Sequence, residues 1–210
     1  LATLSNLNVT DLSDKWNNGG GTAKDIIPDS FSLRTNSPLI VYISMHGIVN
    51  AAGEPCLLPP HASFHEDKTW IRIADVLDEL ERFASDRNTL LILDGSRIRV
   101  NWELGILYNS FAERVEQLVD NQTKGKKDRR LVVMLSADAG QKCWASADLN
   151  GSAFGKYLLL GLAGVADQSS GFVWSHDVTL SELANYLDRE VTAWSAFNRG
   201  ESQTPVLLPR

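Results

Sequence analysis

The chain has 210 residues, of which 43% are apolar and 22% charged, and its formal net charge is −6. This length and composition are typical of one soluble globular domain with a substantial core. The acidic balance argues against nucleic acid or an anionic membrane as the main partner. No apolar run approaches the roughly 20 residues of a membrane-spanning helix, and no signal-peptide pattern opens the sequence. Cys56 and Cys143 stand far apart in unlike contexts, which indicates neither a disulfide framework nor a zinc site and favours a reducing cytoplasm.

Residues 1–37 contain little that points to chemistry. Residues 17–21 (NNGGG) predict a turn, and the flanking sequence predicts only short extended or helical pieces. We therefore expect residues 1–37 to be an N-terminal extension or the incomplete start of the domain. Residues 38–210 are expected to form the domain itself.

The stretch 38–47 (PLIVYISMHG) predicts a buried strand that ends in polar residues. Its apolar residues favour extended backbone, and a run without polar alternation suits a strand that is covered on both faces. Ser44, His46 and Gly47 lie at the carboxyl end, where open α/β sheets place their ligands. Because a lone histidine is more often structural than catalytic, this stretch by itself assigns no function.

Residues 50–55 (NAAGEP) predict a hairpin turn that leads into residues 56–60. Just beyond the turn, His61 and His65 stand four residues apart beside two acidic residues. On a helix this spacing can bind a metal ion. The two prolines before them favour a loop instead, so no metal site is predicted.

A second strand that ends in reactive side chains follows a helix. Residues 71–84 carry apolar residues at helical spacing and predict the crossover between two parallel strands. The apolar run 89–93 (TLLIL) is followed by Asp94 and, two positions later, Ser96. If the two strands are parallel neighbours, His46 opens into the same crevice. A base beside a nucleophile is the arrangement that nucleophilic catalysis requires.

A second long helix and a basic loop come next. Residues 101–119 carry an apolar stripe at helical spacing and predict the helix. Residues 120–130 (DNQTKGKKDRR) break this periodicity and predict a solvated loop between two strands. Its five basic residues are Lys124, Lys126, Lys127, Arg129 and Arg130.

Four further elements complete the predicted fold: a buried strand at 131–136, a helix at 152–162, a helix from 179 to about 197, and an edge strand at 204–209. In the first of these helices Phe154, Leu158, Leu159 and Leu162 are expected to face inward. Thr179 and Glu182 form a capping box at the start of the second. Strands that alternate with helices in this way predict an α/β fold with a mostly parallel central sheet.

The two strand ends resemble the caspase and metacaspase family of cysteine peptidases. Ser44-Met45-His46-Gly47 matches the family's histidine motif, and residues 91–96 (LILDGS) match its nucleophile strand roughly 50 residues later. The resemblance continues through residues 131–137, Trp144 and residues 152–164, and it covers about 38–210. It implies a caspase-like three-layer α/β/α sandwich that hydrolyses peptide bonds.

One departure from the family pattern concerns the nucleophile itself. Ser96 stands where the family has cysteine, and Gly95 does so if the register lies one residue earlier. A thiolate is far more nucleophilic near neutral pH than a serine hydroxyl. Three explanations are compatible with the sequence: an engineered inactive variant, a natural pseudoenzyme, and a serine hydrolase with His46 as its base.

The resemblance implies a mechanism and a specificity. His46 would take the proton of the nucleophile and return it to the leaving amine, while backbone N–H groups near Gly47 hold the oxyanion. Ser44 and Asp94 stand where metacaspases line a pocket for basic residues, which implies cleavage after arginine or lysine. A turn-capping role is the other interpretation of Asp94. This route needs no metal or organic cofactor, although some metacaspases depend on calcium.

The resemblance also implies partners. In caspases, the linker that is cut during maturation lies between the nucleophile strand and the next strand. Residues 120–130 occupy this place in the present sequence, so the resemblance implies that this basic loop is a processing site. A protein or peptide substrate is expected, together with an activating or regulatory protein. Two rival interpretations remain: a catalytically silent caspase-like module that binds peptides or partner subunits, and a flavodoxin-type binding domain. Against the flavodoxin-type interpretation, no glycine-rich phosphate loop follows any predicted strand of the sequence.

Overall fold

A computed structural model describes residues 22–23, 38–83, 87–95, 108–125, 130–167 and 177–210. Within these residues the chain is a mixed α/β protein. Its strands are β1 (Leu39–Ile43), β2 (His46–Val49), β3 (Pro55–Leu58), β4 (Ile71–Arg72), β5 (Thr89–Leu93), β6 (Leu131–Leu135), β7 (Ala145–Ser146), β8 (Gly151–Ser152) and β9 (Val206–Leu208). Its α-helices are α1 (Ile73–Phe83), α2 (Phe111–Thr123), α3 (Ala153–Leu160) and α4 (Leu180–Arg199).

The central sheet has the strand order β1-β5-β6-β9. β1, β5 and β6 are parallel, and Ile43, Leu93 and Leu135 lie side by side at their carboxyl ends. β9 runs antiparallel to β6 at the edge. The predicted mostly parallel sheet is therefore confirmed, and so is the edge strand near the end of the chain.

Helices cover both faces of this sheet because alternate strand residues point to opposite sides. On one face α1 and α2 pack on the sheet, and the buried residues there include Leu91, Leu93, Val133, Leu135, Val76, Leu80 and Val115. On the other face α3 and α4 pack on Ile92 and Met134 of the sheet. The buried helix residues there include Phe154, Leu158, Leu187 and Val191. The helices and the sheet thus form three layers.

The predicted hairpin after His46 is confirmed. β2 pairs antiparallel with β3, and β3 pairs with the short β4, so these strands form a small separate sheet. The helix predicted at 71–84 begins two residues later because Ile71–Arg72 is used in this pairing. At α4 both hydrogen bonds of the capping box between Thr179 and Glu182 are formed, which confirms that prediction.

Three details of the sequence prediction are wrong. β1 is not covered on both faces, because Ile40 is 38% and Tyr42 45% exposed. In α3, Phe154 and Leu158 are buried as expected, but Leu159 is 57% exposed. The helix ends at Leu160 and continues as a π-helical turn, Gly161–Val165, rather than as one regular helix to 162.

The second long helix also differs from its prediction. It begins only at Phe111, because the Asn109 side chain accepts a hydrogen bond from the Phe111 N–H and so competes with a helical turn. At its other end the helix runs to Thr123, so the first four residues of the predicted loop 120–130 are helical. The remainder of that prediction, at 101–107 and 126–129, lies outside the described residues. So do Ser96 and residues 1–21 and 24–37 of the predicted N-terminal extension.

Both cysteines are buried, and neither forms a disulfide bond. No helix in the described part of the chain is both long and apolar enough to cross a membrane.

Candidate functional site

The candidate site lies where β1 and β5 end side by side. The Asp94 N–H donates to the Ile43 carbonyl oxygen at 2.9 Å, which extends the parallel pairing one residue beyond β5. The Gly47 N–H then donates to the Gly95 carbonyl oxygen at 2.7 Å. The backbone around His46 therefore contacts the backbone that immediately follows Asp94.

Gly95 is enclosed by this contact. A Cβ atom added to Gly95 would lie 2.6 Å from the Met45 carbonyl oxygen and 3.5 Å from the Gly47 nitrogen. The first distance is shorter than real Cβ atoms adopt, and the obstacle is backbone rather than a movable side chain. Any side chain at position 95 thus requires the histidine segment to move.

The histidine segment is held from its other side as well. The Asn109 side-chain amide donates to the Gly47 carbonyl oxygen at 2.9 Å. A Cβ on Gly47 would lie 2.6 Å from the Phe111 ring, so only glycine allows this close packing. His46 itself is the first residue of β2, and its side chain is exposed. The surrounding backbone therefore fixes His46 at the carboxyl edge of the sheet.

Asp94 is fully buried, with 0% of its surface exposed. The Tyr42 hydroxyl donates to its Oδ2 atom at 2.8 Å, and the Ser152 hydroxyl donates to the same atom. The Cys143 thiol donates to Oδ1 at 2.8 Å. Donors from a strand, a helix start and a loop thus converge on one carboxylate, as a buried carboxylate requires.

Tyr42 connects the two predicted pocket residues. Burial of its hydroxyl, followed by the nearby Asp94 charge, raises the pKa of Tyr42 well above its usual range, so the hydroxyl remains a donor. A side-chain interaction with Ser44 lowers the pKa of Tyr42 and so offsets part of this rise. Ser44 is exposed, whereas Asp94 is not. The structure therefore brings Ser44, Tyr42 and Asp94 together.

The other sequence-predicted residues are more dispersed. His61 and His65 are exposed and lie in turns beyond β3, and no group of three metal-binding side chains occurs among the described residues. Lys124 and Arg130 are exposed at the two ends of the basic loop. The Gly47 N–H, a predicted oxyanion donor, is engaged by the Gly95 carbonyl oxygen.

Sequence reasoning missed Cys143 and Ser152 as partners of Asp94. Cys143 stands alone in a loop, and no local pattern indicates its contact with Asp94, 49 positions earlier. Ser152 carried a weak signal, since serine is a preferred residue at the start of a helix. Its hydroxyl accepts from the Gly155 N–H at 2.8 Å while it donates to Asp94.

These two roles make Ser152→Ala a sensitive test of the site. The substitution removes the N-cap of α3 and one donor to Asp94, so we expect the free energy of unfolding to fall by about 2–3 kcal/mol. Ser110→Ala is the matched control, because Ser110 precedes α2 without a side-chain capping bond. Urea denaturation of both variants measures the difference. Equal losses in the two variants would contradict the double role of Ser152.

No protein-family model matches the chain, and a search of curated proteins found none that matches it.

Proposed function

We propose that the chain is a caspase-like endopeptidase domain in a form that lacks its nucleophilic cysteine. The observation that carries this proposal is the Gly47–Gly95 backbone contact at the carboxyl ends of two parallel strands. It places the His46 segment against the residue that precedes position 96. A base and a nucleophile on adjacent strand ends form a dyad that can hydrolyse a peptide bond.

In this proposal position 96 is the nucleophile position and His46 the general base. The enclosed Gly95 supports this register, because position 95 has no room for a cysteine side chain. His46 would remove the thiol proton and later protonate the leaving amine. Gly47 can serve as an oxyanion donor only if its N–H leaves the Gly95 carbonyl oxygen when substrate binds.

The proposed preference for arginine or lysine depends on Ser44 and Asp94. A carboxylate at the end of the pocket would attract a basic side chain through charge-assisted hydrogen bonds. The Asp94 carboxylate is covered by its donors, while Ser44 and Tyr42 are exposed. A basic substrate side chain would therefore first meet Ser44 and Tyr42, and it would interact with Asp94 through them.

The basic loop fits the same proposal as a processing site. Lys124 and Arg130 are exposed, and Gly125 between them has a φ of +81° in open space. Exposed polar turns of this kind are preferred sites of proteolytic cleavage. A protease with a preference for basic residues would cut its own chain here, and a cut would leave β6 paired within the sheet.

The test of function is to restore the thiol. We expect Ser96→Cys to cleave fluorogenic peptides after arginine or lysine and not after aspartate. Adding His46→Ala to this variant should reduce cleavage by at least about 100-fold, the scale of general-base catalysis. The assay should include calcium, since some metacaspases require it. A folded Ser96→Cys protein that prefers aspartate, or that cleaves equally well without His46, would contradict the proposal.

A natural pseudopeptidase that binds peptides or partner subunits is the second candidate. The engaged Gly47 N–H and the covered Asp94 carboxylate favour it, because both groups are occupied within the protein itself. Calorimetric titration of unmodified protein with arginine-containing peptides separates the two candidates. Binding without cleavage by folded Ser96→Cys protein would support the binding module.

A further inference from the structure

Gln203 is a buried residue whose side-chain amide and backbone N–H all form hydrogen bonds within the protein. It is 0% exposed, and its side-chain amide donates to the Ser136 carbonyl oxygen at 2.9 Å and to the Cys143 sulfur at 3.5 Å. Its side-chain oxygen accepts from the Trp144 N–H at 2.9 Å. Its own N–H donates to the Ser195 hydroxyl at 2.9 Å. A buried glutamine satisfied in this way fixes the position of every group that it contacts.

Other residues of the same segment hold the same loop. We define the latch segment as residues 199–210 and the Cys143 loop as residues 138–146. The Thr204 N–H donates to the Gln141 side-chain oxygen at 2.5 Å, and the Gln141 amide donates to the Thr204 hydroxyl at 3.2 Å. Arg210 pairs with Asp138 at 2.5 Å and with Glu116 at 2.8 Å.

The same Cys143 sulfur also touches the candidate site, because the thiol donates to Asp94. We infer that the latch segment sets the position of the Cys143 loop over Asp94, with Gln203 as the central positioning residue. Displacement of the latch segment would withdraw the Cys143 thiol and uncover Oδ1 of Asp94. This consequence for specificity rests on the proposed function, whereas the positioning itself is testable without any activity.

The test is the alkylation rate of Cys143 under native conditions, with Cys56 as an internal standard. Both cysteines are buried, and burial raises the pKa of the Cys56 thiol to about 11. In the unmodified protein N-ethylmaleimide should therefore react slowly with either one. Gln203→Met keeps the side-chain length but removes the hydrogen bonds. We expect it to accelerate alkylation of Cys143 about tenfold or more, with Cys56 unchanged, as mass spectrometry of the peptides can show.

Two controls keep the test decisive. Gln117→Met makes the same substitution at an exposed glutamine and should change neither rate. Arg210→Ala weakens the end of the latch segment without a buried change, and we expect about a threefold increase at Cys143 alone. It therefore carries the test if Gln203→Met does not fold. The inference is overturned if both cysteines accelerate in parallel, which indicates global unfolding, or if Cys143 does not accelerate in either folded latch variant.

These outcomes are separate from those of the peptidase assay. Selective exposure of Cys143 would support the latch even if the thiol restored at position 96 cleaves nothing. Conversely, cleavage by Ser96→Cys protein together with unchanged Cys143 protection in the latch variants would support the proposed function and reject the latch.

Discussion

Asp94→Ala should lower the free energy of unfolding by about 3–5 kcal/mol, the largest loss we expect from one substitution in this protein. The change removes the acceptor of three donors: the buried Cys143 and Ser152, and the partly buried Tyr42 hydroxyl. Each donor left without a partner costs about 1–3 kcal/mol, although the losses do not add fully because the cavity relaxes. Urea denaturation followed by tryptophan fluorescence measures the loss.

Two further variants are needed to interpret the result for Asp94→Ala. Asp94→Asn keeps the side-chain size and one oxygen acceptor. Its loss of unfolding free energy should therefore lie between zero and the loss caused by Asp94→Ala. Asp120→Ala is the matched control on the exposed face near the end of α2, where an acidic residue opposes the helix dipole. It should be neutral within about 0.5 kcal/mol. A loss below about 1 kcal/mol for Asp94→Ala would mean that the three donors find other partners.

This prediction affects how specificity is tested. Lost preference for arginine in Asp94→Ala protein would have two explanations, a missing charge and a collapsed network. Asp94→Asn separates them, because it removes the charge and retains most of the packing. If the proposed preference depends on the Asp94 charge, the folded asparagine variant should lose discrimination between arginine and uncharged residues.

A side chain at position 95 should lower the free energy of unfolding by nearly as much as Asp94→Ala does. We expect Gly95→Ala and Gly95→Cys to destabilise the protein by similar amounts, about 3 kcal/mol each, because the obstacle meets the Cβ atom that both share. The Met45 carbonyl oxygen must move to make room, and this shifts the backbone beside His46. Thermal denaturation of the two variants measures the cost.

Ser96→Cys is the natural control for this pair, since it replaces one small side chain with another and should leave stability nearly unchanged. The comparison also decides the register of the nucleophile. Stable Gly95→Cys protein that cleaves peptides, beside silent Ser96→Cys protein, would place the nucleophile at 95 and contradict the steric argument.

The sequence predicted the framework well where a signal lies within one element. The apolar runs at β5 and β6 and the Thr179–Glu182 capping box each identify their element from neighbouring residues. The order of elements then predicts parallel pairing, because helical crossovers join parallel strands. The meeting of the His46 segment with the end of β5 follows from that pairing.

What the sequence could not predict arises from contacts between distant residues. Nothing local shows that Tyr42, a β-favouring residue in an apolar run, turns its hydroxyl to Asp94. Gln203 lies in a short polar connection whose residues are usually exposed, yet it is completely buried. Likewise, no local pattern shows that the Asn109 side-chain amide donates to the Gly47 carbonyl oxygen 62 positions away.

The proposed function requires that His46 face position 96, and the reactivity of a thiol placed there tests this requirement. In Ser96→Cys protein the rate of alkylation at position 96 should be measured against pH, with and without His46→Ala. An adjacent imidazole lowers the pKa of a thiol below its usual value of about 8.5. We predict that the thiol reacts at least about tenfold faster near pH 6.5 when His46 is present. Superimposable pH profiles for the two folded proteins would show that His46 does not reach position 96.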